Sequence, residues 1–380
     1  MIEDGVVHLD RIAMSEIRNI TPRDIPAVAN MFWGMFKTEK TSVPQSLVDY
    51  LSKLYLNPSR GDSDIISQVH IRSDGVLNGF IGSIPLRMSL DGSLVRAAIC
   101  GPLMVEDHAA DPLAGARLLR AFLAGPQDVS LSETANETSR IMWSKLRGTV
   151  LPTYSLEWVR VFRPAAFAIE LAAGRFHGMR LLAPLAVPLD ALGFKLASRS
   201  HPESAPGSEV NGFTDSDIDC DALVGIIPSL VERFGLRPAW EASDLRDILD
   251  GATPKSTYGP MHCRVVRARH GAPIGAYLYH GSPGRIARVL QILAMKEREG
   301  AVLDCLLDHA RALGAVAIRA RTQPYLLQAM MVRQGLFFQR SSTVVHSRDA
   351  RVLSAFSDGN AFFNGLAGEA WNRLNGDDFN

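Results

Sequence analysis

The chain has 380 residues, 47% of them apolar, with 40 Lys plus Arg balanced by 40 Asp plus Glu. Such a length supports two or three domains with a core in each, and a balanced charge supplies no field to draw in nucleic acid or an anionic membrane surface. No apolar run is long enough to cross a bilayer. The four cysteines (Cys100, Cys220, Cys263 and Cys305) stand far apart in the sequence with no Cys-x-x-Cys spacing, so a cytoplasmic protein with reduced thiols and no metal site is expected.

Residues 1–16 are expected to form a leader, and its acidic start, MIEDGVV, lacks the basic n-region of a secretory signal. A strand start and a helix follow, with Ile25, Val28, Ala29, Phe32, Trp33 and Phe36 on one helical face. Thr21 is a natural cap, Pro22 suits the first helical position, and Asp24 completes an acidic capping arrangement. A second helix is predicted over Leu47–Leu56 and is stopped by Asn57-Pro58. Asp74-Gly75 and Asp91-Gly92 then punctuate alternating apolar segments, which is a hairpin signal, so three antiparallel strands lead toward Cys100.

The stretch from Val95 to Leu146 organises the chain. VRAAICGPLMV is apolar and β-prone, yet it contains Gly101-Pro102, and a proline cannot donate to a sheet ladder. A bulge or local opening of the sheet is therefore expected there. After a loop, Leu118, Leu119, Phe122 and Leu123 recur at helical spacing from Gly115 onward. DVSLSET reads as a short strand, and Asn136 is placed to cap the next helix. A helix start beside an opened strand offers N–H groups to an anion and unpaired backbone to an extended ligand. TVLPTYSLEWVRVFRP, with Tyr154 and Trp158, is expected to supply a closing strand.

From Pro164 to Glu209 the pattern shifts to amphipathic helical segments and a Ser/Pro/Gly-rich linker. The opening then returns: FTDSDI at Phe213–Ile218 matches ITPRDI at Ile20–Ile25, and Gly275 answers Gly79 in a second hairpin. A second strand–helix unit follows, with Leu303, Leu306, Leu307, Ala310 and Leu313 as its apolar stripe. The matched pieces lie 187 to 196 residues apart, which points to an internal duplication.

The segment from Val105 to Gly115, followed by ANETSRIMWSKLRG, resembles motif A and the following helix of the GNAT superfamily, the acyl-CoA-dependent N-acetyltransferases. The family loop reads Val-x-Pro-x-x-Arg/Gln-Gly-x-Gly-x-Gly/Ala. Val105 and Gly115 stand at its first and last positions, with Asp107, Ala110 and Leu113 at the Pro, Arg/Gln and middle Gly positions. Asn136, Ser139 and Trp143 take the Asn, Ala and Tyr positions of the helix that follows the second strand. The resemblance implies an α/β (α+β) fold of two tandem GNAT-like domains. Each has a mixed, mostly antiparallel sheet with splayed central strands and helices on both faces. The N-terminal domain spans 17–164, a helical connector and linker 165–209, the C-terminal domain 210–350, and a tail 351–380.

The resemblance further implies acetyl-CoA or another acyl-CoA as donor. The backbone of Leu103, Met104 and Val105 would take the pantetheine arm. Leu113, Ala114, Gly115 and Ala116 would meet the pyrophosphate, and Asn136 and Ser139 would line the far side of the cleft. Glu133, at the end of the second strand, is the candidate base, and Tyr154 the candidate acid in place of the family tyrosine. The expected activity is transfer of an acyl group to an amine of a small-molecule acceptor, by direct attack in the N-terminal domain. An acyl carrier protein is the other donor the eroded loop suits. The alternative is a non-catalytic ligand-binding or scaffold protein with eroded GNAT domains. Whether the chain dimerises is left open by the sequence.

Overall fold

The computed structural model describes residues 15–37, 41–56, 62–109, 111–174 and 212–379. Most of the expected leader, most of the expected connector and linker, and Ala110 lie outside the described residues. The first half of the chain supplies β1 (Glu16–Asn19), β2 (Gln68–Ile71), β3 (Leu77–Leu90), β4 (Ser93–Val105), β5 (Val129–Ala135), β6 (Thr149–Val150) and β7 (Leu156–Val161). The second supplies β8 (Phe213–Asp217), β9 (Leu236–Pro238), β10 (Met261–Ala268), β11 (Pro273–His280), β12 (Ile286–Ala294), β13 (Ala317–Arg321), β14 (Leu336–Gln339) and β15 (Ser342–Ser347). These strands build two mixed sheets. One has the order β1-β2-β3-β4-β5-β15-β6 with β9 beside β3; the other has the order β14-β7-β13-β12-β11-β10-β8. The tandem α/β architecture expected from the duplication is the one observed.

The local signals act as their chemistry predicts. Asp24 accepts both the N–H and the hydroxyl of Thr21, each at 2.8 Å, and also pairs with Arg18. The Arg18 partner holds the Asp24 carboxyl down at about 2. Asp91 and Gly92 sit at φ 49° and 87°, as a tight β3–β4 turn requires. The matched glycines share a reason for being glycine. A Cβ on Gly79 would lie 2.9 Å from Leu118 Cδ1, and one on Gly275 would lie 2.4 Å from Val302 Cγ2. In both halves a hairpin strand meets the early part of the helix that follows the central strand (Ala114–Leu123 and Glu299–Ala312).

One expectation is overturned. The segment carrying Trp158 does not close the first half: β7 pairs antiparallel with β13 and β14 in the other sheet. Its place is taken by β15, which pairs antiparallel with β5 and β6. Each half is thus completed by a strand from the other. Trp158 explains the direction of the exchange, because its fully buried indole belongs to the core of the second sheet with Ile318, Leu326 and Met330. Gly335, just before β14, leaves the space the indole fills.

The chain divides into two compact units, Met1–Pro85 with Cys100–Gln127 and Phe379–Asn380, and Leu86–Ile99 with Asp128–Asp378. In the first, the helices Ile25–Phe36 and Gln45–Leu56 bury Val28, Phe32, Leu47, Leu51 and Tyr55. In the second, the helix Glu299–Ala312 lays Val302, Leu303, Leu306 and Ala310 into the core. Fully burying each such side chain is worth roughly 1.5–3 kcal/mol relative to exposure. Among the described residues no helix is long and apolar enough to cross a membrane.

Candidate functional site

β4 and β5 run parallel but pair only at Ala97–Ile99 with Val129–Leu131, although β4 continues to Val105 and β5 to Ala135. Pairing ends just before Gly101-Pro102, where the missing proline N–H removes a rung of the ladder. In the first unit, Gly82 and Gly101 both face the Tyr55 ring; a Cβ on either would lie 2.8 and 2.9 Å, respectively, from the phenol oxygen. The second sheet repeats the arrangement. β12 and β13 pair only at Ile286–Arg288 with Ala317–Arg319, and β12 runs on to Ala294.

The residues expected at the donor's phosphates form the start of the helix Ala114–Leu123, with Ala114 and Gly115 buried and Leu113 exposed. In the loop before it, Asp111 pairs with Arg117 of the helix itself. Asp111 also faces His70 Nε2 at 3.5 Å, and His70 Nδ1 meets Asn78 Oδ1 at 2.6 Å. The small Ala114-Gly115-Ala116 start suits close approach of a phosphate to first-turn N–H groups. Asp111 is the feature there that opposes it. Leu103, Met104 and Val105 lie in the stretch of β4 beyond its last pair with β5, which suits an extended arm.

Asn136 Oδ1 accepts the Ser139 N–H at 2.8 Å, so these two predicted cleft residues cap their own helix, Glu137–Lys145. Glu133 is 2% exposed and is committed to the C-terminal segment. Its Oε1 accepts the Gly365 N–H at 3.2 Å; its Oε2 accepts those of Glu369 and Ala370 at 2.9 and 3.1 Å. Arg321 Nε stands 3.7 Å away. A carboxylate so occupied is an anchor, not a group held open for an amine's proton. Tyr154 is likewise buried, donating its O–H to Ala361 O at 2.7 Å, and burial pushes the phenol well above its ordinary range. The base and acid roles expected of these two residues therefore find no support in their surroundings.

The second unit holds a cavity of about 500 Å³ at the β12–β13 opening, reached by Val289–Ile292, Ala320 and Arg321 just beyond the last strand pair. Glu133 and Asn136 line it, as do Lys255, Arg288, Arg319 and Arg340, which sequence reasoning did not single out. Lys255 Nζ donates to Asn372 O and Asn375 O, each at 2.6 Å. Burial lowers that ammonium to about 7 against the opposing charges of Asp377 and Glu133. Burial, and then the Glu133 charge, raise Glu369 to about 7. Burial and the nearby Lys255 lower His280 to about 4. These cations are scattered from 255 to 340, with no spacing that would mark them in the sequence.

No protein-family model matches the sequence, and no curated protein matches it. Solved structures do match in fold. A conserved protein of Enterococcus faecalis V583, described as a probable N-acyltransferase, is 9% identical with a TM-score of 0.55, over 88% of this chain and 73% of that one. A GCN5-related N-acetyltransferase from Anabaena variabilis ATCC 29413 is 8% identical with a TM-score of 0.57, over 90% and 75%. Another from Kribbella flavida is 12% identical with a TM-score of 0.53, over 88% and 71%.

Proposed function

From a chain with the tandem fold of the GCN5-related N-acetyltransferases, we propose an N-acyltransferase that moves an acyl group from an acyl-CoA thioester to an amine of a small molecule. The observation that carries this reading is the three-residue pairing of β4 with β5, which frees the backbone of Leu103–Val105. The amine nitrogen attacks the thioester carbonyl, the N–C bond forms, the C–S bond breaks, and the thiolate takes up a proton. Leu103–Val105 would hold the pantetheine arm, and the helix start at Leu113–Ala116 would face the pyrophosphate. A cytoplasmic setting fits cysteines kept as thiols.

Calorimetric titration with acetyl-CoA, propionyl-CoA and a long-chain acyl-CoA tests this. Binding of one of them near micromolar, followed by acyl transfer to an amine panel, supports it. Silence from all three, with binding of an acylated carrier protein, moves the donor to the carrier. A second reading, a ligand-binding protein without catalysis, draws on Asp111 in the phosphate loop and on the commitments of Glu133 and Tyr154. It predicts no transfer from any donor.

A further inference from the structure

Arg288 and Arg319 are direct partners in the parallel β12–β13 pair. Like charges placed opposite each other in a sheet destabilise it, so the pairing calls for an opposing charge. Arg319 has one in Glu157 and lies over the Phe338 ring at 5.0 Å. Arg288 stacks over the Tyr258 ring at 4.7 Å and, among the described residues, has no carboxylate partner. Arg340 lines the same cavity, also without a carboxylate partner among the described residues. Burial depresses Arg319, and the charges of Arg288 and Arg340 push it in the same direction against Glu157. Planar guanidiniums recognise carboxylate and phosphate oxygens in pairs. A second observation comes from Asn364, which lines the cavity at 1% exposure with its Oδ1 buried and unpartnered among the described residues. A buried acceptor of that kind asks for a donor.

We propose that this cavity binds a small molecule carrying an oxyanion, carboxylate or phosphate, that bridges Arg288, Arg319 and Arg340, together with an N–H or O–H group received by Asn364. The volume of about 500 Å³ admits a metabolite-sized ligand. The inference concerns binding alone and does not depend on acyl transfer.

The test uses the full chain in a chloride buffer, with thermal melting and calorimetry against inorganic phosphate, glutarate and glutamate, and with sodium chloride at matched ionic strength as control. At least one oxyanion is expected to raise the melting temperature and to bind with a Kd below 1 mM. Phosphate alone, or the carboxylates alone, identifies the headgroup, and tighter binding of glutamate than glutarate reports the donor to Asn364. Arg288→Gln and Arg340→Gln are each expected to weaken binding about tenfold. Arg288→Gln should also melt at or above the parent in the absence of oxyanion, because a like-charge contact is relieved. Equal shifts with sodium chloride, no binding by any of the three probes, or undiminished binding in both variants would overturn the proposal.

Discussion

Glu133 Oε2 accepts the backbone N–H of Glu369 at 2.9 Å, joining the end of β5 to a segment 236 residues further along the chain. Two more N–H groups of that segment, from Gly365 and Ala370, converge on the same carboxylate. Replacing Glu133 by Gln turns one acceptor oxygen into a donor and leaves at least one buried N–H facing it. The expected loss is roughly 2–4 kcal/mol of unfolding free energy, read from urea denaturation. An unchanged midpoint accompanied by lost acyl transfer would instead return Glu133 to the role of base.

Tyr154→Phe separates structure from chemistry in the same way. The phenol donates to Ala361 O, while the ring packs edge-on against Phe356 at 5.5 Å, a contact that phenylalanine keeps. The variant should lose about 1–2 kcal/mol of stability from an unsatisfied buried carbonyl. Its turnover should be unchanged below the unfolding transition. A hundredfold fall in kcat with unaltered stability would make Tyr154 the acid.

The pH profile carries a signature of the buried carboxyl. Folded Glu369 keeps its proton up to about 7, whereas the unfolded chain releases it near 4.5. Between those values the native state binds more protons than the unfolded state, so stability falls as pH rises, by roughly 3 kcal/mol in all. Lys255 acts on the other side of neutrality. Its folded value is about 7 against an ordinary 10.5, so stability is lost as pH falls from 10.5 to 7 and changes no further below that. The two contributions together are lowest near pH 7. Glu369→Gln should remove the acid-side slope and raise stability at pH 8, as followed by denaturant midpoints across pH 5 to 9.

The matched glycines differ in what surrounds them. A Cβ on Gly275 would meet the carbonyl oxygen of Leu293 at 2.5 Å as well as Val302, and a backbone atom in a central strand has nowhere to go. A Cβ on Gly79 meets the tip of Leu118 at 2.9 Å, which a rotamer change relieves, and the Cβ of His70 at 3.1 Å, which needs only a small shift of the neighbouring strand. Gly275→Ala should therefore cost about 3 kcal/mol or more and Gly79→Ala roughly 1–2. Thermal melts of the two variants check the order.

Much of this architecture was legible because its causes are local. The Asp-Gly turns, the Thr21–Asp24 cap, the Asn136 cap and the apolar stripes each depend on a few neighbouring residues. The proline that ends the β4–β5 pairing is of the same kind. The tail's hold on Glu133 was not legible, because a glutamate at a strand end looks the same whether it serves catalysis or a distant loop. Nor was the arginine cluster: Arg288 and Arg319 meet only through strand register, and Arg340 joins them from a turn. The strand exchange was hidden for a related reason. β7 and β15 are each six residues long and each follows a strand–helix–strand unit, so their positions along the chain do not say which sheet each joins, and Trp158 declares its preference only once the core around it is formed.

That exchange yields the sharpest test of the fold. Residues 1–174 made alone would leave β5 and β6 without the strand that pairs with both of them, exposing two edges of backbone donors and acceptors. Residues 212–380 alone would leave β13 and β14 without β7 and the Trp158 indole out of its core. Neither piece is expected to be soluble by itself. Expressed together they should assemble and co-elute as one species, and a protease site placed between residues 174 and 212 should be cleaved without separating the halves. Trp158→Ala should cost about 3–5 kcal/mol and weaken the assembly of the two pieces. If either piece instead folds alone with a sharp melting transition, the strands are not exchanged in solution and each half closes on itself.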